Sequence, residues 1–216
     1  MNIQKITSIC PLCHSQNSEN IQGPDERTFY KCSTCYLIYT DPNNHPSEEI
    51  ERKRYLAHEN GIEFPGYVAF LNKAIEPSMK FLHLGMTGLD YGCGPNPTLS
   101  KLLEKQGIQC ENYDPIFFPN GKIKQHYDFI FATECFEHFF FPSKDIELII
   151  GQIRKEGYLI VMTDLWNNLA DFKSWSYAQD FTHTSFYHQN TINWIAKHYE
   201  LKRVYYDEKR VIIFQL

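Results

Sequence analysis

The chain has 216 residues, 43% of them hydrophobic, with 21 Lys and Arg against 26 Asp and Glu and a formal net charge of -5. That length suits one sizeable core with a small appendage and is cramped for two full domains. A slightly acidic surface gives no field to draw the protein onto phosphate backbones or anionic lipid, so the expected partner is a small-molecule substrate and not nucleic acid.

The N-terminal segment MNIQKITSICPLC has no apolar signal core, and no later stretch reaches the roughly 18 to 20 uncharged apolar residues of a membrane span. No membrane partner and a cytoplasmic location are therefore expected. The first motif is C-x2-C-x18-C-x2-C, formed by Cys10, Cys13, Cys32 and Cys35. This is zinc-ribbon spacing: each pair can sit on a tight knuckle, and four thiolates close the tetrahedral shell of a structural Zn²⁺. Glycine often follows the second cysteine of a knuckle, where the backbone can need positive φ; here His14 and Tyr36 stand there. Up to His45 the segment carries Lys5, Arg27 and Lys31 against Glu19, Asp25, Glu26 and Asp41, one more acid than base. A nucleic-acid reader would present a basic face. Residues 1–45 are expected to be a ribbon that staples the fold or covers a substrate, ending in the polar run Asp41 to Pro46.

Residues 46–84 read as a helical bridge. Ser47 followed by Glu48 and Glu49 signals a helix start. A second helix is expected from Pro65, with Val68, Leu71, Ala74 and Ile75 at helical spacing and a kink or break at Pro77. Tyr55 and Tyr67 are candidates for a lid over a cofactor, although aromatic residues on such helices more often belong to the core.

The run GLDYG then ends a short apolar strand, and TLSKLLEKQG carries helical leucines with Gly107 as a C-cap. The stretch Gly92, Cys93, Gly94, Pro95, Asn96, Pro97 thus lies between strand and helix, where a ligand can approach the backbone. Asp114 ends the next strand, twenty residues after Gly94, placed to accept both hydroxyls of a ribose. A dinucleotide fold needs a third glycine where Pro97 stands, which disfavours nicotinamide.

These residues resemble the Rossmann-like S-adenosylmethionine-dependent methyltransferases, whose first motif is acidic-x-G-x-G, here Asp90, Tyr91, Gly92, Cys93, Gly94. The resemblance runs from about Tyr55 to the C-terminus. It implies that Gly92, Cys93 and Gly94 pass along the methionine part of S-adenosyl-L-methionine, that Asp90 lies near its ammonium, and that Asp114 holds the ribose. Asn96 stands where many members carry glycine, and asparagine tolerates left-handed geometry best among the other residues.

Downstream, YDFIFA reads as a buried strand that turns polar at Thr133, Glu134, Glu137 and His138, the strand end where ligands sit in parallel sheets. Glu134 is taken as cofactor-binding, in the post-strand motif that resembles small-molecule methyltransferases. Cys135 is expected to pack and not to act as a nucleophile. A helix is expected from Ser143 to Gly157, and YLIVMTD as the next strand. Only 13 residues separate Asp114 from Asp128, too few for the usual helix and strand, so that unit is expected to be shortened. The last residues, LKRVYYDEKRVIIFQL, read as an antiparallel hairpin.

Between them lies a long aromatic segment with Trp166, Phe172, Trp175, Tyr177, Phe181, Phe186 and Tyr187; a loop this long usually has a task, and the substrate is expected to sit here. Its DFTHTSFY resembles a D-x-T-H element of small-molecule methyltransferases, making Asp180 and His183 the catalytic candidates; whether His183 is a base or a structural residue stays open at this stage. The expected fold is α/β: a mostly parallel methyltransferase sheet over residues 85–216 with an antiparallel C-terminal hairpin and a small N-terminal ribbon. The resemblance implies methyl transfer to oxygen or nitrogen of a small molecule, a sugar or other biosynthetic intermediate; ribbon-bearing methyltransferases of sugar nucleotides share this order of parts, an analogy of architecture and not of substrate. The alternatives are an RNA or protein methyltransferase that reads through the ribbon, and a non-catalytic module that keeps the fold for binding.

Overall fold

A computed structural model describes residues 8–121 and 126–216; the first seven residues of the expected ribbon lie outside them. Three short strands come first, β1 (Ser18–Ile21), β2 (Phe29–Cys32) and β3 (Ile38–Thr40), followed by helices α1 (Glu48–Leu56) and α2 (Pro65–Ser78). An alternation follows: β4 (Thr87–Tyr91), α3 (Thr98–Glu104), β5 (Gln109–Tyr113), β6 (Tyr127–Thr133), α4 (Pro142–Ile150) and β7 (Ile153–Met162). The rest holds the single-turn helices α5 (Leu169–Phe172) and α6 (Ser176–Gln179), the two-residue strand β8 (Ser185–Phe186), α7 (Gln189–His198), and the hairpin β9 (Lys202–Tyr206) and β10 (Val211–Gln215).

The large sheet has the order β5-β4-β6-β7-β10-β9. Its first four strands are parallel, and β10 runs antiparallel to both neighbours. The continuous apolar runs in β6 and β7 follow from burial on both faces. Ile130 packs on one side with Ile146 and Ile149 of α4 and Ile192 and Ile195 of α7. Phe129 and Phe131 pack on the other with Leu71, Ala74 and Ile75 of α2 and Leu99 and Leu103 of α3. Helix α2 is thus a layer of the main core. Pro77 lies in its last turn, and the helix stops one residue later.

Between β5 and β6, the described residues form only a tight return from Asp114 to Phe118 and Gly121, with no helix or further strand. The expected shortening is real, and β5 ends the sheet.

One helix differs from expectation. α4 starts at Pro142 with Phe141 as N-cap, not at Ser143, and closes at Gly151, not Gly157. Apolar spacing through Ile149, Ile150 and Ile153 fits a helix, but Ile153 pairs with Tyr127 in the sheet. The backbone is bulged there, with Glu156 at φ 66. A Cβ on Gly157 would come within 2.7 Å of the Asp128 carbonyl oxygen, so this glycine serves a close strand approach.

The small sheet has the order β1-β2-β3-β8, so its fourth strand comes from the long aromatic segment. Ile38 faces Phe186, Tyr39 faces Ser185, and the Thr40 amide donates to the Thr184 carbonyl at 2.9 Å. Beneath it Phe29, Ile38, Trp166, Phe172 and Phe186 form a buried cluster. Much of the aromatic content of that segment is therefore packing against the ribbon. Phe186→Ala should lower stability by about 3–5 kcal/mol. In urea unfolding followed by tryptophan fluorescence, ribbon and sheet should lose structure in one transition; two separated transitions would show that this seam does not couple them.

Candidate active site

The four ribbon cysteines converge. Cys10 and Cys35 sulfurs lie 3.6 Å apart, Cys13 and Cys32 sulfurs 3.5 Å apart. Four thiolates around one Zn²⁺ at about 2.3 Å would stand about 3.8 Å from one another, so the donor set fits such an ion. His14 and Tyr36 have φ of 58° and 65°, the left-handed geometry that glycine usually supplies after a knuckle. Their amides close the knuckles on the carbonyls of Cys10 and Cys32, each at 3.0 Å.

At the end of β4, Gly92 and Gly94 have φ of 79° and 65°. Asn96 is not among the left-handed residues: its side chain donates to Asn60 Oδ1 at 2.8 Å instead, so the turn survives without a third such residue. A Cβ on Gly92 would meet the Cys135 sulfur at 2.6 Å, which gives that buried cysteine a packing role under the turn. Asp114 ties the turn to β5. Its Oδ2 accepts from the Gly94 amide at 3.0 Å, and its Oδ1 accepts from the amides of Ile116 and Phe117 at 2.9 Å each. Asp90 lies behind the turn, 2% exposed, and its Oδ1 has no hydrogen-bond partner. Burial, then the charge of Asp114, pushes its carboxyl up to about 7.

A cavity of about 800 Å³ opens on this turn. Gly92, Cys93, Gly94, Asp114 and Glu134 line one part, and Glu137, His138, Tyr177, Asp180 and His183 continue the wall. Glu134 has a left-handed φ of 49°, with its amide on the Met162 carbonyl at 2.7 Å. Burial and then the neighbouring Glu137 raise its carboxyl well above the usual range. Glu137 is fully buried; its Oε2 accepts from the Thr163 hydroxyl at 2.9 Å and its Oε1 has no hydrogen-bond partner.

Both histidines here are pinned through Nδ1, His138 on the Thr182 carbonyl at 3.1 Å and His183 on the Tyr177 carbonyl at 2.7 Å. A carbonyl only accepts, so Nδ1 carries the proton and Nε2 keeps its lone pair. Burial, then the adjacent His138, brings His183 down to about 3, so it is neutral at physiological pH.

Asp180 is engaged. Arg54 donates to its Oδ2 at 2.7 Å, and the Thr182 amide and hydroxyl donate to its Oδ1 at 3.0 and 2.7 Å. Arg54 belongs to α1, whose Glu48, Glu51 and Tyr55 line the cavity at helical spacing, with His58 just beyond the helix end. Arg52 donates to the Ile116 carbonyl at 2.8 Å, so α1 straps the cavity at both ends. Tyr55 lies under that strap, edge-on to His138 at 5.1 Å, with its hydroxyl on Glu51 at 2.9 Å. The ties from Arg52, Arg54 and Thr163 are not legible in sequence, because each joins segments far apart in the chain; the Glu137–His138 pair was visible as polar residues after a buried strand.

Glycine turn, carboxylate-tipped second strand, and antiparallel closing hairpin together define a Rossmann-like methyltransferase. Residues 63–206 match the family model described as a methyltransferase domain, and the chain belongs to that family, the class I S-adenosylmethionine-dependent methyltransferases. Among solved structures it is similar to a SAM dependent methyltransferase from Archaeoglobus fulgidus, with 14% identity, TM-score 0.50, and coverage of 79% of this chain and 95% of the other. Two further likenesses are to the CurJ carbon methyltransferase (13% identity, TM-score 0.44, 68% of this chain) and to phosphoethanolamine N-methyltransferase 2 of Haemonchus contortus in complex with S-adenosyl-L-methionine (14%, 0.49, 73%). The chain spans about half the length of these two, 53% and 44%. No curated protein matches the sequence.

Burial would raise the Asp180 carboxyl, but hydrogen bonds from Arg54 and Thr182 outweigh it and hold the group well below the ordinary range. A depressed folded-state value stabilises above the unfolded value near 3.9 and stops doing so as pH falls through the folded one. The stability gap between the parent protein and Asp180→Asn should therefore be full at pH 6 and shrink progressively below pH 4 in urea titrations; a pH-independent gap would show that the charge does not matter.

Proposed function

We propose that the protein transfers the methyl group of S-adenosyl-L-methionine to a small-molecule acceptor, at oxygen or nitrogen. The observation that carries this reading is one cavity joining the glycine turn to the group of Glu137, His138 and His183. When bound, S-adenosylmethionine supplies a methyl group already activated by the positive charge on sulfur, which leaves positioning as the protein's main work.

Gly92, Cys93 and Gly94 carry the amino-acid portion, and the unpartnered carboxylate of Asp90 behind them compensates its ammonium. Asp114 holds the ribose with the lone pairs that its amide donors leave free. Glu134 and Tyr55 border the cofactor, and His183 belongs to the acceptor end, its loop fixed by Asp180. Functionally, residues 1–45 act as a structural Zn²⁺ ribbon, 46–84 as the bridge that carries the α1 cover, and 85–216 as the catalytic domain. A reducing, cytoplasmic setting keeps the ribbon thiols available for the ion.

The wall also bears on the acceptor. Among the described residues its charged lining is Glu48, Glu51, Asp114, Glu134, Glu137, Asp145 and Asp180, with Arg54 held on Asp180 at 2.7 Å and Arg210 at 3.7 Å from Glu134 behind them. With both guanidinium groups engaged by carboxylates, the described lining is net acidic, which supports an acceptor that is neutral or cationic where it enters. An acidic cavity behind an acidic ribbon gives no support to nucleic acid as substrate.

Cofactor binding should be detectable by calorimetry at one site per chain; a protein that binds neither S-adenosylmethionine nor its demethylated product would overturn the reading. Because Asp90 stands near 7 without a partner, an ammonium beside it should drive off its proton. Affinity should then fall as pH drops from 8 to 6, with proton release seen as a dependence of the heat on buffer ionisation, and Asp90→Asn should flatten both. His183→Ala should lower turnover on the order of 10²-fold while cofactor affinity stays within about twofold. Equal turnover in that variant would remove His183 from the acceptor end.

A further inference from the structure

Glu137, His138 and His183 differ from the rest of the wall in how their polar atoms are arranged. One carboxylate oxygen and one ring nitrogen from each histidine all lie within 4.8 Å of one another. Some point is then no more than about 2.8 Å from all three, and ordinary side-chain adjustment brings them to the roughly 2.0–2.2 Å of metal–nitrogen and metal–oxygen bonds. The two rings stand nearly perpendicular, with centroids 4.8 Å apart.

Three observations point to a ligand. Both Nδ1 atoms are committed to backbone carbonyls, which fixes the tautomer and leaves Nε2 as a donor lone pair. This is the outer-shell arrangement that metal-binding histidines use. Glu137, fully buried, has one oxygen held by Thr163 and the other without a hydrogen-bond partner. Such an atom is costly to leave empty-handed in a protein interior. Finally, all three residues line the cavity, so a bound ion would have open positions facing it.

We propose that Glu137, His138 and His183 bind one divalent first-row transition ion, with its open coordination positions turned toward the acceptor. Two imidazoles and a carboxylate with open positions is a donor set that suits Fe²⁺, Mn²⁺, Co²⁺ or Zn²⁺. It differs from the ribbon, whose four thiolates leave no position for another ligand. An oxygen of the acceptor, a hydroxyl or an enolic group, is the chemistry such a position takes. The acidic wall favours a cation there for the same reason that it disfavours phosphate. Ion binding is a property of the cofactor-free protein, so its failure would leave methyl transfer standing, and failure of cofactor binding would leave the ion site standing.

The test is a Co²⁺ titration of protein purified with Zn²⁺, read by visible absorption and elemental analysis. The expected result is one Co²⁺ per chain with weak d–d bands and no intense thiolate-to-cobalt band. Glu137→Gln and His138→Ala should each weaken it at least about 100-fold, while S-adenosylmethionine affinity and the thermal transition, measured on the same samples, show them folded. Only thiolate-type absorption in the parent protein, or unchanged Co²⁺ affinity in both variants, would overturn the site. Should both variants fail to fold, the parent titration decides alone: thiolate-free bands at one Co²⁺ per chain support it and their absence sinks it.

Discussion

Strand β8 holds only two residues, yet the side of the cavity lined by Glu137, His138 and His183 hangs from it. By pairing with β3 it turns a three-stranded cysteine module into a four-stranded sheet. The residues just before it, Thr182 to Thr184, are thereby clamped. The Thr184 amide donates to the Glu137 carbonyl at 2.8 Å, and the Thr182 carbonyl receives the His138 ring. The cysteine module thereby supports the cavity wall. It also reaches the catalytic half through the Ser143 amide on the Pro11 carbonyl and through Arg27, which donates to the carbonyls of Ala178, Asp180 and His183. A side chain held by three backbone acceptors across so many residues fixes the loop more firmly than any single contact could.

The cofactor end rests on a different device, concentration of carboxylates. Burial and the neighbouring Asp114 raise Asp90 behind the glycine turn, and burial and the neighbouring Glu137 raise Glu134 after β6. Buried like charges are unfavourable unless something positive arrives or a proton stays. The cavity is thus arranged to gain from cations, which is the common ground of the ammonium proposed near Asp90 and the ion proposed at Glu137, His138 and His183.

Legibility in the sequence followed the range of the interaction involved. The cysteine pairs, the glycine turn and the strand tipped by Asp114 are local patterns, and each marks the element that the structure shows. The left-handed residues at His14 and Tyr36 were legible from their place after the knuckles, because backbone geometry there is set within one turn. Helix α4 was misread at its end, since the spacing of isoleucines cannot tell a helix from a strand entered through a bulge. The docking of β8 was invisible: nothing local in Ser185 and Phe186 says that their partner lies near residue 38. For the same reason the aromatic segment read as a substrate surface when most of it is a joint.

With the unit between β5 and β6 shortened, no strand among the described residues pairs with the outer edge of β5. Unpaired amides and carbonyls along such a rim invite a strand from another molecule. Here the chain folds back on itself after Asp114, and Gly121 comes so near the end of β5 that a Cβ would lie 2.6 Å from the Asn112 carbonyl oxygen. A hydrogen atom in place of a side chain is what lets this return lie flat. The smallest residue in the alphabet thus lets the return lie against the end of β5, and any larger one would lift it away from the strand beside Asp114.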